Sequence, residues 1–176
     1  MAYKQLFLFL EGEDDKRLFE SILKQIFEKT YDYVKIIQYS QQKYEKINNF
    51  LRSIKCMRAE YIFTHDFNDS PCITERKRRI LEKYKEINEK DKIAIIIKEI
   101  ESWYLAGLDD KNAQKLTNHT FISTENITKE KFDSYRSNKF DSRIDFMVEI
   151  LKYFSIETAK QKNNSFRYFA DKFLSI

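Results

Sequence analysis

Carboxylates follow three short apolar runs in this chain of 176 residues. The run 6–10 leads into Glu11 and Gly12, 61–64 into Asp66 and Asp69, and 93–97 into Glu99 and Glu101. Each run has the length of a buried strand in a parallel sheet, where both faces are covered and polar alternation is lost. Parallel strands deliver their C-terminal ends to one edge, the edge at which open α/β sheets bind ligands. Acids collected there repel one another unless a cation neutralises them. Hard divalent ions such as Mg2+ or Mn2+, which take oxygen ligands, are the expected occupants.

Each residue also has a plainer reading. Glu11 could cap the following helix, because carboxylates are favoured near helix N-termini; Gly12 beside it, which lets a backbone approach closely, favours function. Asp69 or Ser70 could cap the helix that starts after Pro71, whereas Asp66 has no such duty and is the leading metal ligand. Glu99 and Glu101 share a side only in a strand. In a helix they diverge by about 200°. The spacing of Ile100, Trp103 and Gly107 is helical, so one glutamate is expected to face the metal and the other to turn away, and the sequence does not say which. Lys98 could stabilise a transition-state phosphate, or simply face solvent. Arg76, Lys77, Arg78 and Arg79 offer contacts to a nucleic-acid backbone, with part of the cluster solvated. His65 is a candidate for proton transfer or a partly buried strand-end histidine. Trp103 and Tyr104 read as core anchors. Cys56, Cys72 and His119 lack zinc-ligand spacing.

The elements that must position these groups alternate: strand 5–10, helix 13–28, strand 33–38, helix 42–55, strand 60–65, helix 72–88, strand 92–97. That pattern is repeated βαβ. Leu18, Ile22 and Ile26, with Phe19 and Leu23 beside them, give the first helix its apolar stripe, and Ile47, Phe50, Leu51 and Ile54 give the second its own. Beyond Glu99 a short helix should end at Gly107, a suitable left-handed cap. Helices are then expected near 129–137, 142–154 and 164–174, separated by Asn/Thr/Ser-rich stretches. The predicted organisation is an α/β domain over 1–110 and a helical C-terminal appendage over 111–176 packed on it.

Composition narrows the class. With 42% hydrophobic and 15% aromatic residues the chain has the material for a core. Two glycines and one proline suit helices joined by short connections better than an all-β sandwich. No apolar stretch reaches the roughly 18 residues of a membrane span. With no leader-like start, the two cysteines are expected as reduced thiols and the protein as cytoplasmic. Net charge is zero over 1–110 and +4 over 111–176, an excess that could help grip a polyanion.

The ordered acids resemble those of TOPRIM domains, the fold shared by topoisomerases, bacterial primases and OLD-family nucleases. There a glutamate ends the first strand and an Asp-x-Asp motif ends the third. The segment Phe7 to Asp15 looks like the strand-Glu-Gly-x-x-Asp opening, and Asp66-Phe67-Asn68-Asp69 occupies the place of the Asp-x-Asp. The chain resembles more closely a family of small TOPRIM-like proteins often associated with OLD/ABC-type ATPases in phage defence. Glu99-Ile100-Glu101-Ser102-Trp103-Tyr104-Leu105 matches their Glu-x-Glu-x-Trp-Tyr-Leu segment, and Asn164-Ser165-Phe166 resembles their C-terminal Asn/Ser-Ser-Phe. The resemblance implies a TOPRIM-like, Rossmann-like, mostly parallel sheet flanked by helices. It also implies a Mg2+-dependent nuclease acting on DNA or RNA, with an ATPase partner. Glu11 would be a metal ligand or general base, Asp15 and Asp66 metal ligands. The second motif aspartate is Asn68 here: either Asp69 substitutes for it, or the site has lost a charge and Asn68 is a neutral ligand. The alternative function is a degenerate TOPRIM module that binds or senses without cleaving.

Overall fold

Gln5–Leu10 forms β1, and from Leu6 onward its side chains are buried. The computed structural model describes residues 3–67 and 70–174. β2 (Tyr33–Gln38) runs parallel to β1 from Gln5↔Tyr33 to Leu10↔Gln38. On the other side β3 (Glu60–Asp66) pairs parallel from Leu6↔Glu60 to Phe9↔Phe63. With β4 (Ile93–Ile96) these make a four-stranded parallel sheet of order β2-β1-β3-β4, flanked by helices as a Rossmann-like fold requires. The chain leaves β1 for one neighbour and returns as the other, so the strand order reverses between β1 and β3. That is the topological switch point of the sheet.

Contacts divide the chain into two compact units, 1–95 and 96–176. In the first, the connection after β1 is α1 (Glu13–Leu18), a π-helical turn (Phe19–Leu23) and α2 (Lys24–Phe27). A π turn inserts one residue into the helical repeat. The buried face therefore runs Leu18, Phe19, Leu23, Phe27, and Ile22 and Ile26 of the expected stripe are only half-buried. α3 (Tyr44–Cys56) buries Ile47, Leu51 and Ile54. α4 (Ile73–Lys83) stops short of the expected 88 because Tyr84, at φ −106° and ψ 79°, leaves the helix to bury its ring. Its N-cap is Cys72, whose Sγ accepts from the Glu75 amide. Ser70, expected as one of two possible caps, is buried elsewhere, and Asp69, the other, lies outside the described residues.

The second unit is helical: α5 (Glu101–Ala106), α6 (Asp110–Thr117), α7 (Lys129–Ser134), α8 (Arg143–Lys152), α9 (Ile156–Lys162) and α10 (Asn164–Phe173). Asp109, Thr128, Ser142, Ser155 and Asn163 cap the last five, each side chain accepting an N-terminal amide. Two of these helices, α6 and α9, were not expected; Asp109 and Ser155 supply the caps that start them. Trp103, Tyr104, Phe132, Phe146, Phe166 and Phe169 form the core.

Gly107 is not the left-handed cap expected of it. Its φ is −72°, open to any residue. Space is what requires glycine, because an added Cβ would stand 2.1 Å from a ring carbon of Phe154. Cys56 and Cys72 are free and exposed. No helix among the described residues is long and apolar enough to cross a membrane.

Candidate metal centre

Glu11 is the first residue past β1 and Asp66 the last of β3, so neighbouring strands bring them to the same edge at the switch point. The Asp66 amide donates to Glu11 Oε2 at 3.2 Å. The same oxygen lies 3.0 Å from His65 Nδ1. Arg76, on the second turn of α4, donates from Nε to the Asp66 carbonyl at 2.9 Å and places Nη2 3.1 Å from His65 Nδ1. A protonated Nδ1 donates to Glu11, whereas an unprotonated one accepts from Arg76, so the imidazole tautomer selects between its neighbours.

These contacts set the charge of Glu11. Burial pushes its carboxyl up, but the His65 hydrogen bond and charge, the Asp66 amide and Arg76 outweigh burial and hold it below the ordinary 4.5. Beneath lies an aromatic stack: Phe9 on Phe63, Phe63 on Tyr39 at 4.5 Å between centroids, and Tyr84 against both Phe63 and Tyr39. The Tyr39 hydroxyl donates to the Thr64 carbonyl at 2.8 Å. Burial first, and then the charge of Glu11, push the Tyr39 phenol well above 10, so it remains a protonated donor.

Asp15 is buried and its Oδ2 accepts from the Gly12 amide at 3.2 Å, which is half of a capping box, since glycine has no side chain to return the bond. Gly12 is extended, at φ −136°, and a Cβ there would meet only Asp15 Oδ2, at an ordinary 3.5 Å. Neither backbone strain nor packing inside the chain requires glycine at this position.

The remaining sequence candidates belong to the second unit or lie outside the described residues. Asn68 and Asp69 lie outside the described residues. Lys98, Glu99 and Glu101 belong to the second unit. Lys98 is exposed in a left-handed turn at φ 63°. Glu99 accepts the Lys129 amide at 2.5 Å, at the start of α7. Glu101, 4% exposed, is ion-paired with Arg143, which also holds Asp133 at 2.8 Å. Both glutamates thus have local structural partners. Trp103 and Tyr104 are fully buried, and Trp103 Nε1 donates to Ser165 Oγ at 2.8 Å.

In kind, Glu11 and Asp66 fit a hard divalent cation. In number, no three His, Cys, Asp or Glu among the described residues come together as a ready-made cage. Mg2+ does not demand one, since it is commonly held by one or two carboxylates together with waters and substrate phosphates.

A cavity of about 510 Å³ adjoins Glu11. It is lined by Tyr39, Gln42 and Tyr44 from the segment that follows β2, and by Arg76, Arg79, Lys83 and Tyr84 from α4 and its C-terminal end. Sequence reasoning noticed the basic run but not its facing. The i, i+3, i+7 spacing of Arg76, Arg79 and Lys83 is the signal that puts them on one side of a helix. Tyr39 was missed although it follows β2 directly, at the same edge.

Comparison of the chain with family models, with curated proteins and with solved structures finds no match.

Proposed function

We propose that the protein is a Mg2+- or Mn2+-dependent phosphodiesterase of TOPRIM type acting on DNA or RNA, with Glu11 and Asp66 as the carboxylates that hold the metal. The observation that carries this reading is the pairing of Glu11 with the Asp66 amide across neighbouring parallel strands at the switch point. A divalent cation held there would neutralise phosphate charge and lower the pKa of a water.

The chain's own residues do the rest. Glu11, kept ionised by His65 and the Asp66 amide, is the anionic ligand at the end of β1. Arg76 fixes the Asp66 backbone and brings a guanidinium to the cavity wall. Asp69, with Asn68 as a neutral donor, is assigned the remaining ligand position. Involvement in phage defence with an OLD/ABC-type ATPase belongs to the same proposal and rests on the family resemblance.

A second reading, a binding or sensing module without cleavage, is favoured by one observation. Glu11 Oε2 is already engaged within the protein, by the Asp66 amide and by His65 Nδ1. Labelled single- and double-stranded DNA and RNA, incubated with Mg2+ or Mn2+, separate the two. Cleavage that disappears in chelator and in Asp66→Asn establishes the enzyme; intact substrates at all metal concentrations establish the module.

A further inference from the structure

The cavity beside Glu11 has more positive than negative groups around it. Arg76 is committed inward, to the Asp66 carbonyl and His65. Arg79 and Lys83, one and two turns further along α4, reach the cavity from exposed positions. Arg79 touches Glu75 at 3.0 Å. Lys83 has no carboxylate partner among the described residues, and its ammonium lies 5.3 Å from the Tyr84 ring centroid. Glu11 is the sole carboxylate among the described lining residues, and His65 already faces it.

Cations in excess around a concave site select an anion, and Arg with Lys is the pairing suited to phosphate. The cavity also offers aromatic surface: Tyr44 is 53% exposed at its rim, while Tyr39 and Tyr84, 3% and 4% exposed, close the floor. A volume near 510 Å³ lies within the roughly 300–1,000 Å³ of small-molecule sites. A floor closed by buried rings suits a group that enters and stops rather than a strand passing through.

We infer that this cavity receives a terminal nucleotide, its phosphate held by Arg79 and Lys83 and its base laid on Tyr44. Base–aromatic stacking needs only an exposed ring face, which Tyr44 presents. The inference deepens the phosphodiesterase reading by giving the enzyme a grip on a phosphorylated end, and its test uses binding in chelator, so absence of cleavage does not bear on it.

Fluorescence anisotropy of the full chain with labelled oligonucleotides in EDTA provides the readout. A 5′-phosphorylated oligonucleotide should bind roughly tenfold tighter than its 5′-hydroxyl twin, as expected for one charge-assisted grip. Arg79→Ala and Lys83→Ala should each erase that preference. Arg78→Ala should keep it, because Arg78 pairs with Glu75 and Glu82 and does not line the cavity. A nucleoside 5′-monophosphate that competes identifies free nucleotides as ligands too; competition by phosphorylated oligonucleotide alone restricts the site to strand ends. Equal affinity for both ends, or equal losses from Arg78→Ala and Arg79→Ala, overturns the inference. Inorganic phosphate competing as well as the mononucleotide overturns the part given to Tyr44.

Discussion

The amide of Asp66 points at the carboxylate of Glu11, 3.2 Å away, and ties the C-terminal ends of β1 and β3 together. Two charged residues at the ends of buried parallel strands thus meet where the strand order reverses, with His65 and Arg76 completing their surroundings. The consequences extend to pH, stability and metal binding.

The depressed carboxyl of Glu11 links it to acid stability. A folded-state value below 4.5 means that the unfolded chain binds the proton first as pH falls. The contribution is therefore complete above about pH 4.5 and is lost as pH drops through the folded value. Urea titrations of wild type and Glu11→Gln from pH 6 to pH 3 should converge as pH falls below 4.5. A stability difference independent of pH across that window would refute the linkage.

Ser165 both accepts from Trp103 Nε1 and donates to Asn163 Oδ1, at 2.8 Å each, inside the second unit. Ser165→Ala leaves a buried indole N–H without its acceptor, at a cost of about 1–3 kcal/mol. Chemical denaturation should show that loss with an unchanged m-value. A shift within about 0.5 kcal/mol, typical of surface substitutions, would show the contact to be dispensable.

Gly107→Ala forces a methyl into the Phe154 ring. Overpacking of this kind costs about 1–3 kcal/mol. Combined with Phe154→Ala, the penalty should fall well below the sum of the single changes, because the obstructing Cγ and ring carbons are gone. Strict additivity in that double-mutant cycle would place the effect in the backbone instead.

On the proposed reading, Asn68 and Asp69 decide whether the site is complete. With Asp69 as the substituting carboxylate, Asp69→Asn should abolish cleavage and Asn68→Asp should change it little. Cleavage created by Asn68→Asp in an otherwise inactive protein would show that the natural site lacks a charge, and would favour the binding module.

The strands were legible because burial on both faces leaves apolar runs such as 93–96 with no polar interruption. Glu11 and Asp66 were legible for the same reason, as acids at the end of such runs. Other features depend on partners distant in sequence. Nothing in the spacing of Trp103 and Ser165, 62 positions apart, announces their hydrogen bond. Gly107 reads as a helix cap until Phe154 is seen against it. The register of α1 and α2 depends on a π turn at Phe19–Leu23 that regular helical periodicity does not express. Ser155 looks like part of a separator and is the cap of α9.

The claim on which the account turns is that Glu11 and Asp66 hold one divalent cation between them. Calorimetric titration of Mn2+ into wild type, Glu11→Gln and Asp66→Asn, each checked for intact folding by circular dichroism, tests it most directly. The account predicts one site in the wild type and a loss of affinity of roughly tenfold or more in each variant, since either change removes a charged oxygen ligand. Equal Mn2+ affinity in all three proteins would contradict it.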